Sequence, residues 1–155
     1  MGREVRRVPP GYQHPTDDRR GRPASLHYGA GGRYERQASE WLAEANKWAA
    51  GERPKYAGDD APEFYWDWDG GPPEAESFML VGVPDEACTH YQLFETTSEG
   101  SPIGPVCATL DEVAEHAAEH ATTFASFKAT KAEWLQIISG EPFMVEIAPG
   151  VVNIP

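Results

Sequence analysis

The chain has 155 residues, 40% of them hydrophobic and 17 aromatic, with 15 Gly, 14 Pro and a formal charge of −12 from 13 basic and 25 acidic side chains. That length and apolar content exclude disorder throughout and suffice for one ordinary core burying about two-thirds of the unfolded surface, while the Gly and Pro content predicts a loop-rich fold. The negative charge argues against nucleic acid as a partner and suits a protein with a basic surface.

No apolar run approaches the ~20 residues that cross a bilayer, and the Arg-rich opening lacks the apolar stretch and cleavage site of a signal peptide. A cytoplasmic protein without a membrane segment is therefore expected. The two cysteines, Cys88 and Cys107, form no C-x-x-C pair and are too few for a disulfide scaffold, so both read as small buried hydrophobes. The charge is segregated. Residues 56–127 run for 72 positions without Lys or Arg and carry 15 carboxylates, whereas residues 1–55 hold 11 basic and 7 acidic side chains.

Residues 1–32 read as an extended Arg/Pro/Gly-rich arm, because Pro9-Pro10, His14-Pro15 and Arg22-Pro23 bias their predecessors away from helix. Its Arg3, Arg6, Arg7, Arg19, Arg20 and Arg22 would either fold back on the acidic block or stay apart from it. A single domain is expected over 33–155. Tyr34, Ala38, Trp41, Leu42, Ala45, Trp48 and Ala49 recur at helical spacing, with Gly51 and Pro54 as the stop. Trp41 and Trp48, seven apart on one stripe, read as core.

Residues 58–77 form an acidic-aromatic loop punctuated by Pro62, Gly70, Gly71, Pro72 and Pro73, and no regular element is assigned to it. Residues 78–83 are a short apolar run. Residues 91–96 alternate as a strand, turn at Ser98-Glu99-Gly100-Ser101, and return over 102–108 on a sheet edge marked by Pro102 and Pro105. Thr109-Leu110-Asp111-Glu112 and Thr130-Lys131-Ala132-Glu133 are capping boxes opening two helices. The apolar side of the first is Leu110, Val113, Ala114, Ala117 and Ala121; the second carries Trp134, Leu135 and Ile138. Residues 143–148 and 151–154 close the chain as a hairpin around Pro149-Gly150. The fold class expected is α+β: a small antiparallel sheet, about three helices and the N-terminal arm.

Two candidate sites emerge. The acidic-aromatic loop supplies Asp59, Asp60, Glu63, Trp66, Asp67, Trp68, Asp69, Glu74 and Glu76 as a partner-binding surface, in which carboxylates address a basic partner and large aromatics either anchor the loop or act as hot spots. His116-Ala117-Ala118-Glu119-His120 matches the H-x-x-E-H pattern of inverted zinc peptidases, with two imidazoles one helical turn apart as ligands for zinc and a glutamate to activate water. A catalytic zinc needs a third protein ligand, which the pattern does not name, and the ordinary reading is a solvated helix face. His14, His27 and His90 stand alone. Gly29-Ala30-Gly31-Gly32 lacks the lysine of a phosphate loop and reads as a hinge.

Three stretches stand out: Arg3-Glu4-Val5-Arg6-Arg7-Val8-Pro9 with His14-Pro15; Thr89-His90-Tyr91-Gln92 running into Glu99-Gly100-Ser101-Pro102-Ile103-Gly104-Pro105-Val106; and Thr130 with Glu133-Trp134-Leu135. In these the chain resembles a group of small, uncharacterised accessory proteins of tailed bacteriophages and prophages. Together the three stretches cover about a third of the chain; residues 50–80 fall outside the resemblance. The resemblance implies an accessory gene acting in a bacterial cytoplasm and brings no activity, cofactor or catalytic residue. The function expected is a non-enzymatic, phage-encoded binding protein acting on a host protein with a basic surface, with a counter-defence inhibitor that mimics nucleic acid as its concrete form. The alternatives are a zinc-dependent hydrolase on the H-x-x-E-H helix and a minor virion or assembly protein using the arm and the Pro102 edge for subunit contacts.

Overall fold

The computed structural model describes residues 2–97, 99–123, 126–139, 143–146 and 151–154, the last two segments as backbone. In chain order the strands and helices are β1 (Arg3–Val8), β2 (Thr16–Asp17), β3 (Arg22–Pro23), β4 (His27–Tyr28), α1 (Arg33–Ala49), α2 (Tyr65–Asp69) and β5 (Phe78–Met79). Then come β6 (His90–Glu95), β7 (Ser101–Pro102), α3 (Leu110–His120), α4 (Lys131–Ile138), β8 (Phe143–Glu146) and β9 (Val151–Ile154). The protein is α+β with a small antiparallel sheet, as expected. It divides into two compact units, one of residues 1–26 and 85–155, the other of residues 27–84. This division differs from an arm followed by one domain. Each unit carries a net charge of −6, so the acidic block of the sequence is shared between them.

The discontinuous unit is built on the sheet β1-β6-β7. Residues 3–8, expected in the arm, are its first strand, antiparallel to β6 with Arg6 opposite Gln92 and Val5 opposite Leu93. The period-2 alternation of strands sorts the side chains to two faces. On one, Val5, Tyr91 and Leu93 pack with Cys107, Val113, Ala114, Ala117 and the fully buried Trp134. α3 and α4 supply that layer because their Thr caps fix where they begin. Thr130 and Glu133 complete the full capping box, whereas Glu112 reaches the N–H of Ala108 while Thr109 accepts from the N–H of Glu112. Both cysteines are buried thiols. β8 and β9 pair antiparallel, and the Pro149-Gly150 turn expected between them, like Ser98 of the earlier turn, lies outside the described residues.

The opposite face of the sheet is also buried. It carries Val8 and Phe94, and with them Arg6, only 4% exposed. A buried guanidinium must have its donors satisfied. Arg6 Nη1 donates to Leu26 O at 2.6 Å, Nη2 to Glu99 O at 2.8 Å, and Nε to the Glu4 carboxylate, with the guanidinium 4.5 Å from the centroid of the Phe94 ring. Arg3 pairs with Glu95 at 3.2 Å and Arg7 donates to Cys88 O at 2.9 Å. These three arginines thus tie β1 into its own unit, while Arg19, Arg20 and Arg22, on the β2–β3 hairpin, are exposed.

His14, isolated in the sequence, lies edge-on to Phe94 with ring centroids 5.5 Å apart. Its Nε2 faces Ala24 O at 2.7 Å and its Nδ1 faces the Tyr12 hydroxyl at 2.9 Å. A carbonyl only accepts, so Nε2 carries the proton and Nδ1 accepts from Tyr12, whose phenol is pushed up to about 12 by burial. Burial lowers the His14 pKa, Arg6 adds to that, and the bond to Ala24 opposes it. The fold therefore prefers neutral His14: its stabilising contribution is full above the unfolded pKa of about 6.5 and is lost as pH falls from there towards the lowered folded value. Urea unfolding should accordingly lose midpoint between about pH 7 and pH 5 more steeply in the native protein than in His14→Gln. Parallel pH profiles would contradict the lowered pKa of folded His14.

The second unit, residues 27–84, joins β4 to β5 as a short parallel pair and sets α1 after Gly31 and Gly32, both at positive φ. The stripe predicted for α1 is only partly inward. Trp48 is buried and Trp41 half-buried, but Leu42 is 56% exposed, because the helix is covered by one thin loop and not by a sheet. That loop is residues 58–77, and it contains regular structure after all: α2 and a 3-10 turn at Ala75–Ser77. Trp48 organises it. Its indole stacks on Trp68 at 5.2 Å, meets Tyr65 at 5.8 Å, and donates from Nε1 to Pro62 O and Glu63 O at 3.2 and 3.0 Å.

Candidate functional site: an acidic-aromatic face

Asp59, Asp60, Glu63, Asp67, Asp69, Glu74 and Glu76 are all exposed. None forms an ion pair within residues 27–84, where the one pair is Lys47 with Glu44 at 2.9 Å. Their charges are thus left for solvent or a partner. The aromatics divide in two. Trp68 is an anchor, half-buried between Trp48 and Tyr56, whereas Trp66 is 60%, Phe64 63% and Tyr56 81% exposed. Trp66 is held in place although exposed, because its indole lies on the backbone of Gly71, where a Cβ would come within 2.6 Å of Trp66 Cζ2.

Sequence reasoning missed the contribution of α1. Hollows on this unit include three lined by residues of α1 and the loop, and Glu44, Tyr65 and Asp69 line two of these. Glu40, Trp41 and Glu44, one helical turn apart, bring carboxylates and an indole beside α2. Trp41 Nε1 donates to Gly70 O at 3.0 Å, and the Tyr65 hydroxyl donates to Asp69 Oδ2 at 3.1 Å. Burial, and then that bond to Asp69, raise the Tyr65 pKa above its ordinary value. Trp66 and Glu74 share the third hollow, while Asp59, Asp60, Glu63, Asp67 and Glu76 line none of the three. The i, i+4 spacing of Glu40 and Glu44 was the available signal; their proximity to residues 65–69 was not readable locally.

His116 and His120 occupy successive turns of α3 with ring centroids 4.4 Å apart, the placement expected for them. Glu119 Oε2 lies 3.6 Å from His120 Nε2, an ion pair when that imidazole is protonated. Among the described residues no group of three or more His, Cys, Asp or Glu side chains is placed to hold a metal ion.

No protein-family model matches the chain, and neither does any curated protein or solved structure. Among the described residues no helix is long and apolar enough to cross a membrane.

Proposed function

We propose that this is a phage-encoded accessory binding protein that engages a host protein with a basic surface through the acidic-aromatic face of residues 27–84. The observation that carries the reading is the set of seven exposed carboxylates without an ion pair in their own unit, interleaved with the exposed rings of Phe64 and Trp66. Unpaired surface charge steers a partner of opposite sign, and a fixed aromatic supplies the apolar anchor that charge alone lacks. Carboxylates spaced along a surface also suit a groove that normally holds phosphates. Inhibition by nucleic-acid mimicry, as counter-defence in the host cytoplasm, is the concrete form of the proposal.

The test is capture of the tagged protein's partner from bacterial lysate at low and high salt, followed by the same capture with Asp67, Asp69, Glu74 and Glu76 all reversed to Lys. The partner should release as ionic strength rises. The reversed variant should bind at least about tenfold more weakly, on the order of 1.4 kcal/mol. Undiminished capture by the reversed variant would overturn the reading.

A further inference from the structure

Two of the hollows share Glu44, Tyr65 and Asp69 in their linings. The first, about 300 Å³, also contains Trp48 and Trp68 and already holds cations of this chain. The guanidinium of Arg53 lies 3.8 Å from the centroid of a Trp48 ring and donates to Trp48 O at 2.6 Å and Glu52 O at 3.0 Å. The ammonium of Lys47 reaches Glu44 at 2.9 Å. The second hollow, about 580 Å³, has no Lys or Arg in its lining: Glu40 supplies a carboxylate without an ion pair among the described residues, Glu44 one already shared with Lys47, Asp69 one that accepts from Tyr65, and the rings of Trp41 and Tyr65 lie with centroids 5.4 Å apart. The indole N–H of Trp41 and the hydroxyl of Tyr65 are spent inside the unit, on Gly70 O and Asp69. What remains to offer a ligand is aromatic surface and carboxylate oxygens.

We infer that the second hollow receives an arginine side chain of the basic partner. The inference rests on the acidic-face reading above and narrows it to one contact. A guanidinium is favoured over an ammonium because it is planar, stacks on rings and addresses carboxylates with a fork of parallel N–H donors. Next door, Arg53 of this chain makes the ring contact on Trp48, with its donors on backbone carbonyls. Phosphate is disfavoured, since Glu40 and Asp69 are carboxylates without an ion pair and the lining holds no basic residue.

The probes are an oligo-arginine peptide and an oligo-lysine peptide of equal length, titrated into the whole protein and followed by calorimetry and tryptophan fluorescence. Arginine should bind about tenfold more tightly than lysine, within the range of a cation–π contact plus a fork of charged hydrogen bonds. Glu40→Gln, a change at an exposed side chain, and Trp41→Leu should each erase that preference; Glu115→Gln, an exposed change on α3 outside this face, should leave it. Equal affinity for the two peptides overturns the inference, and so does a preference that survives in folded Glu40→Gln. Equal, salt-sensitive binding of both peptides removes the groove yet leaves the acidic-face reading standing. That reading falls separately, on undiminished capture by the charge-reversed protein.

Discussion

Replacing Gly100 by alanine should destabilise the protein by roughly 3–5 kcal/mol, through strain at an unfavourable φ plus loss of a buried charged network. Gly100 sits at φ +127°, a conformation that side chains with a Cβ rarely adopt, and a Cβ there would run into the Arg6 guanidinium, 2.8 Å from Cζ. The same residue accepts from the N–H of Leu26 at 2.7 Å and donates to Ser25 Oγ at 3.0 Å, so the turn and the segment before Leu26 close around Arg6 together. Alanine must either displace that turn or push the guanidinium off Leu26 O and Glu99 O, leaving a buried charge short of acceptors. Thermal unfolding should drop by about 8–15 °C, scaling with protein size. A midpoint within a degree or two of the native protein would mean that Arg6 is not held in this way.

Arg6 also explains why β1 was illegible. A half-buried strand announces itself by polar and apolar residues in alternation. Here both faces are covered: Val5 goes to the helix layer, while Arg6 and Val8 go to the face under His14 and Leu26. The arginine at a core position cancels the pattern, and the following Pro9-Pro10 completes the impression of an arm. Local chemistry was readable where it is sufficient. The caps at Thr109 and Thr130, the span of α1 and the strand at 90–95 depend on neighbours within a few residues. α2 and the hollows beside it depend on Trp48 meeting Tyr65 and Trp68 across the loop, which no short window contains.

The buried polar network of the discontinuous unit is gathered around Arg6. Arg6 faces Gln92 across β1 and β6, Glu99 and Gly100 enclose the guanidinium, His14 lies on Phe94, and Trp134 fills the opposite layer. These residues are the scaffold of the discontinuous unit. Residues 27–84 interrupt that unit in the sequence. A buried guanidinium wrapped by a glycine turn is accounted for by packing alone, without assigning it a partner. The chemistry suited to a partner, exposed carboxylates with fixed aromatics, lies in the other unit. This is why the functional proposal is placed there.

Trp48→Ala should separate the two. It removes the indole that stacks on Trp68, supports Arg53 and donates to Pro62 O and Glu63 O, at a cost of about 3–5 kcal/mol, the usual range for a buried aromatic truncated to alanine. Little else is buried along α1, so no second layer stands ready to compensate. Amide exchange should therefore accelerate across residues 58–77, and partner capture should fall as far as in the charge-reversed variant, although every carboxylate of the face is still present. Exchange in β1 and β6, whose hydrogen bonds lie in the other unit, should stay near native. Charge without its aromatic support would then be insufficient for binding. Retained capture with an unprotected loop would point the other way: the carboxylates would act as a diffuse field, and neither the stack on Trp48 nor the hollow beside Trp41 would be needed to present them.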